Sequence, residues 1–126
     1  MDRTPSPALE LNAFVPSKDL DVSKQFYSDL GFVLVWSNPD IAQFRVGSFT
    51  FLVQRFYVEQ HAGNFMMSLT VEDADAWWDH IERIGLKDKY PGIMLKPPAV
   101  QPWGLRVLYL SDPTGVLWHI VDRKSR

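Results

Sequence analysis

The chain of 126 residues contains no cysteine. That excludes a disulfide framework, thiolate metal sites and cysteine nucleophiles, and it suits a reducing cytoplasm, the expected location. Charge of either sign is also in short supply as an excess. Thirteen Lys and Arg stand against fifteen Asp and Glu, a formal net charge of −2. The only basic cluster is Arg123, Lys124 and Arg126, so there is no footprint for a polyanion and nucleic acid is not an expected partner. The seven glycines stand singly. Without a glycine-rich loop there is no phosphate cradle, which argues against ATP- or nicotinamide-dependent chemistry. No serine sits in a glycine-flanked elbow, and no motif links His61, His80 or His119 to a nucleophile. The opening Met1-Asp2-Arg3-Thr4-Pro5 has no apolar run, and no long apolar stretch follows, so neither export nor a membrane partner is expected.

Aromatic side chains, by contrast, are plentiful: eight Phe, five Trp and four Tyr in a chain that is 46% hydrophobic. Such a load fills a core, and it also lines pockets for flat organic ligands. The sequence also states one pattern twice. Asp19 and Asp73, Asp21 and Asp75, and Gly31 and Gly85 are matched pairs, each 54 positions apart. Two copies of one supersecondary unit follow, with residues in one copy predicting counterparts in the other.

Alternation predicts a strand over residues 9–15, with Asn12 opposite to its apolar neighbours. Asp19 caps a helix carrying Val22, Phe26, Tyr27 and Leu30 to its stop at Gly31. Strands over 32–36, 42–46 and 50–56 complete the first βαβββ unit. The second has a strand over 65–71, a helix from Asp73 bearing Trp77, Trp78, Ile81 and Ile84, and a hairpin of strands 105–110 and 116–121. Its turn is Asp112-Pro113-Thr114-Gly115. Residues 87–100 are proline-bearing and expected as an extended edge or loop. His80 is expected to be solvated. The fold class is therefore α+β, a single domain over 1–126. Module 1 spans about 9–57 and module 2 about 64–122, while 1–7 form a loose tail. One core should be shared, with helices on the outer face of a curved mixed sheet and a cleft on its inner face.

The paired βαβββ units, the Asp-Leu-Asp…Phe-Tyr…Leu-Gly-Phe run of residues 19–32, and Gln101-Pro102-Trp103-Gly104 followed by Asp112-Pro113-Thr114-Gly115 resemble the vicinal oxygen chelate superfamily. That group includes glyoxalase, extradiol dioxygenase and bleomycin resistance proteins. The Pro-Trp-Gly element, the turn and a His four residues after its glycine are most similar to the bleomycin resistance branch. The resemblance implies a homodimer whose clefts form where two chains meet, with strand exchange hinging near Pro16.

In the metal-dependent relatives a cation is held by donors from the first and last strands of each copy. Carried over, those positions are Asn12, Leu52, Met66 and His119. Leu52 has no donor, the Met66 thioether suits soft metals, and Asn12 is a weak ligand. A register shift of two brings in Gln54 and does not complete the site. No metal or other cofactor is therefore expected, with a divalent metal around His119 as the alternative. The preferred reading is a metal-independent protein that sequesters a hydrophobic or aromatic small molecule. A glyoxalase-like or dioxygenase-like metalloenzyme and a non-catalytic dimeric interaction protein are the other two.

The candidate ligand-binding residues are Trp103, His119, Gln54, Asn12, Ser68, Leu52, Met66 and Trp36. Trp103 either stacks on a planar ligand or packs at a subunit contact. His119 either contacts ligand or is a hydrogen-bonded wall residue. Ser68 shares the face of Met66. Phe44 and Phe51 are further aromatic candidates, Arg45 reads as a surface residue, and Tyr57 and His61 as part of a rim loop.

Overall fold

The computed structural model describes residues 6–125. Module 1 consists of β1 (Phe14–Ser17), α1 (Leu20–Leu30), β2 (Val33–Ser37), β3 (Ile41–Val46) and β4 (Phe49–Arg55). A short helix α2 (Glu59–Ala62) leads to module 2: β5 (Met66–Val71), α3 (Ala74–Arg83), α4 (Leu86–Lys89), β6 (Leu95–Val100), β7 (Arg106–Ser111) and β8 (Leu117–Asp122). Each module contributes a four-stranded mixed sheet, ordered β1-β4-β3-β2 and β5-β8-β7-β6. The expected α+β class and repeated modules are present, with the curved sheet divided into two halves.

Local chemistry explains both helices. The Asp19 side chain accepts the Val22 N–H, and Asp73 accepts those of Asp75 and Ala76, so each helix starts on a carboxylate cap. Gly31, at φ 108, ends α1 in the left-handed region. Packing then joins the modules. Phe26, Tyr27 and Leu30 of α1 share one buried cluster with Phe44, Phe51 and Val53 of the first sheet and Leu108, Leu110, Trp118 and Ile120 of the second. The Trp118 ring lies 5.1 Å from Phe51, 5.6 Å from Phe32 and 5.8 Å from Tyr27, centroid to centroid.

A chain of polar contacts crosses the same seam. Trp118 Nε1 donates to Tyr27 Oη at 3.0 Å, and Tyr27 Oη donates to Asp112 Oδ2 at 2.6 Å. Asp112 Oδ1 accepts the backbone N–H groups of Thr114, Gly115 and Val116. Burial pushes the Asp112 carboxyl up, against the pull of those donors, and pushes the Tyr27 phenol up as well.

Four expectations need correction. The first strand begins at Phe14, not Leu9: before it only the Ala13 carbonyl pairs, with the Leu52 N–H, so Asn12 lies ahead of the sheet. Residues 87–100 supply the expected extended edge as β6, but they open on the end of a helix, α4, which starts after Gly85 at φ 66. Pro97 and Pro98 fall where the β6–β7 register shifts, between Lys96 and Ala99, and an edge strand tolerates the missing donors. His80 is half-buried rather than freely solvated. Its Nε2 donates to the Leu30 carbonyl at 2.8 Å, fixing α3 to the end of α1. Finally, His61 lies on α2 rather than in a loop. Ser6 and Pro7 are exposed without regular structure, whereas the rest of the expected tail, residues 1–5, lies outside the described residues, as does Arg126. No helix among the described residues is long and apolar enough to cross a membrane.

Candidate functional site

Strand register sorts the candidate residues into two rows. In the first sheet Trp36 pairs with Gln43, Gln43 with Leu52, and Leu52 with Phe14. Directly paired residues share a face, so Trp36, Gln43, Leu52 and Phe14 form one row across all four strands. In the second sheet Lys96 pairs with Tyr109, Tyr109 with His119, and His119 with Ser68. Phe14 and Ser68 are 54 positions apart, so the sequence repeat holds in space, with Leu52 standing where the second module has His119. Gln54 pairs with Pro16 and Ile41 one row further along, which settles the register in favour of Leu52.

Both rows lie on the sheet faces opposite the shared core, because Phe44, Phe51 and Val53 in one sheet and Trp118, Ile120 and Leu108 in the other take the inward positions. The two rows therefore face away from each other within one chain. Gln43 is the residue that sequence reasoning missed. It is only 3% exposed, and its Nε2 donates to Glu10 Oε1 at 2.8 Å and lies 3.4 Å from Asn12 Oδ1. Asn12 Nδ2 also donates to Glu10 Oε1, so Asn12 is drawn onto this face by side chains although it is not in the strand. Alternation with Ala42 and Phe44 already put Gln43 on the far face. What it lacked in sequence was a visible partner.

His119 is the most unusual group of the second row. Its Nε2 is buried and has no hydrogen-bond partner among protein atoms. The ring is held edge-to-face against Tyr109, with centroids 4.8 Å apart. Burial lowers its pKa, which favours the neutral imidazole. Ser68 is exposed beside it, and Met66, 61% exposed, begins the same strand. Trp103 is not brought into this row. It is exposed on the β6–β7 loop, whose turn is closed by the Gly104 N–H to the Gln101 carbonyl, beyond the Val107–Val121 pair. Trp36 closes the first row on the edge strand β2.

The family's metal chemistry can be tested on the donors present. Of Asn12, Leu52, Met66 and His119, only His119 offers a good nitrogen ligand, and Leu52 occupies the matching position with a hydrocarbon. These residues do not fit a divalent ion. Among the described residues one group of three carboxylates gathers, Asp73, Asp75 and Asp122, within 4.8 Å. Each already has structural work: Asp73 caps α3, Asp75 accepts from Arg106 Nη2 at 2.6 Å, and Asp122 accepts the Ala74 and Lys124 N–H groups, which hold its carboxyl below the usual range.

Comparison with known proteins agrees with this architecture. The chain is 24% identical over 115 residues to a bleomycin resistance protein from Klebsiella pneumoniae, covering 87% of this chain and 89% of that one. Among solved structures it resembles a bleomycin-binding protein complexed with bleomycin (TM-score 0.79, 22% identity, 92% of this chain and 99% of that chain). It also resembles the bleomycin-binding protein of Streptomyces verticillus complexed with copper(II)-bleomycin (TM-score 0.77, 23% identity, 93% and 98%). Residues 11–120 match the Glyoxalase/Bleomycin resistance protein/Dioxygenase superfamily, and the chain belongs to that family.

Proposed function

We propose that the protein is a metal-independent, cytoplasmic binding protein that sequesters a hydrophobic or aromatic small molecule, and that it does so as a homodimer. The observation that carries this reading is His119 Nε2, a buried polar atom without a partner, at the centre of an otherwise open sheet face. A ligand that satisfies this atom recovers the cost of leaving it unpaired. Tyr109 beside it, and Trp36, Leu52 and Phe14 on the other row, supply apolar area. Since the rows face apart in one chain, a ligand touching both needs the first row of one copy opposite the second row of another. The ligand-binding relatives support the small-molecule class. Bleomycin itself is disfavoured: it is a cation, the second row carries Lys96, and the Glu10 carboxylate beside the first row already accepts from Gln43 and Asn12.

The test is a thermal-shift screen of aromatic compounds against the intact protein, since a ligand selective for the native state raises its melting temperature. The expected hit loses its effect in His119→Ala, with the fold retained by circular dichroism. Stoichiometric, tight binding of Zn²⁺ or Ni²⁺ that disappears in the same variant would overturn the proposal in favour of a metalloenzyme.

A further inference from the structure

A second concavity lies away from the two rows, along the free edge of β5. It is a cleft of about 280 Å³ between that edge and the start of β4. Phe49, Phe51, Met67, Leu69 and Trp118 form its apolar surfaces, and Ser68 is the only residue it shares with the His119 row. Thr50, Ser68 and Thr70 are its polar lining residues, and none of its nine lining residues carries a charge. Because β5 pairs only with β8, alternate backbone N–H and C=O groups of β5 point outward on this side. From the shared residues Val46, Phe49, Leu69 and Thr70, a wider recess of about 400 Å³ continues towards Trp77.

This combination selects a chemical class. An ionised ligand placed against Phe49, Met67 and Leu69 would be desolvated without a counter-charge, which is costly. A flat aromatic system gains apolar contact with Phe49, Met67 and Leu69, and its oxygen or nitrogen atoms meet an open strand edge. The volume lies just under the range of about 300–1,000 Å³ usual for small-molecule pockets, which suits a compact bicyclic or tricyclic skeleton. We infer that the cleft between β4 and β5 is a distinct binding site for an uncharged, planar aromatic molecule bearing hydrogen-bonding atoms, built entirely by one chain. It goes beyond the dimeric site proposed above, and it does not depend on His119.

The probe is N-phenyl-1-naphthylamine, an uncharged bicyclic amine whose fluorescence rises in apolar surroundings, titrated into the intact protein. Saturable binding that includes one probe per chain in this cleft, with quenching of tryptophan emission, is expected. Thr70→Phe puts a ring into the cleft from an exposed position and should weaken binding about tenfold or more, whereas Phe49→Ala removes one wall and should weaken it about fivefold, both within the range of aromatic anchors. The component of probe binding that is lost in Thr70→Phe and Phe49→Ala should persist in His119→Ala, which separates this site from the dimeric one. Cooperative thermal unfolding of each variant checks the fold. Three outcomes would overturn the assignment: no saturable binding, binding indifferent to both Thr70→Phe and Phe49→Ala, or binding that weakens as protein concentration rises because a second copy covers the β5 edge.

Discussion

His119 concentrates the chemistry of the second row in a single ring. Burial lowers its pKa, so the folded chain takes up a proton on this residue at lower pH than the unfolded chain does. The sign follows from linkage. As pH falls below the unfolded value of about 6.5, the unfolded state binds the proton first and stability drops. We expect wild-type protein to lose thermal stability between neutral and mildly acidic pH, and His119→Gln to lose less of it. Asp112 works in the opposite direction, since its raised pKa favours the folded state at low pH. The informative quantity is therefore the difference between the two melting curves across pH, in which Asp112 cancels. A His119→Gln curve parallel to wild type would show that His119 titrates normally.

On the first row, Gln43 is the polar counterpart. Its amide is the link between the β3 surface and the Glu10 and Asn12 side chains. Gln43→Leu should release that segment, read as faster amide hydrogen exchange at residues 9–13, while the unfolding midpoint moves little because no buried partner is orphaned.

Between elements, stability rests on a few contacts at the seam of the modules. Tyr27 of α1 is the hinge of the Trp118–Tyr27–Asp112 chain. Tyr27→Phe leaves the Trp118 indole N–H and one Asp112 oxygen without their partner, at a cost of about 1–3 kcal/mol in urea unfolding. An unchanged midpoint would mean that the chain is dispensable. At the end of α1, Gly31→Ala meets two penalties: the left-handed φ of 108, and a Cβ that would lie 3.3 Å from His80 Nε2. We expect a loss of about 1–3 kcal/mol, larger than a glycine-to-alanine change in an ordinary turn. Both effects were partly legible in sequence. The Leu-Gly-Phe run marked the helix stop, and Asp112-Pro-Thr-Gly marked the turn. That His80 and Tyr27 would reach across to the other module was not legible, because those contacts join residues 50 and 85 positions apart.

For the whole molecule, the exposed apolar surface is the dominant fact. Leu9 and Leu11 are 90% and 94% exposed, and Phe14, Phe56 and Met66 are exposed as well. Monomeric surfaces seldom expose so many large apolar side chains, so a second copy is the expected cover. Sedimentation should find a dimer at micromolar concentration. Leu9→Asp with Leu11→Asp should shift it towards monomer with the secondary structure intact. A wild-type monomer throughout would remove the shared-cleft reading and leave the single-chain cleft at β5 standing alone.

The sequence by itself determined the two modules, their helix caps, the hairpin turn and the 54-residue correspondence, because each is written in local chemistry or in repetition. It left the fourth carried-over metal position open between Leu52 and Gln54, because a register of two residues is not written in a single strand. Only the tertiary structure decided which residues stand side by side. Strand pairing put Gln43 between Trp36 and Leu52, aligned His119 with Ser68 and Tyr109, and placed both rows on faces turned away from the common core. Those outcomes depend on register between distant strands and on burial, and neither is carried by any short stretch of the chain.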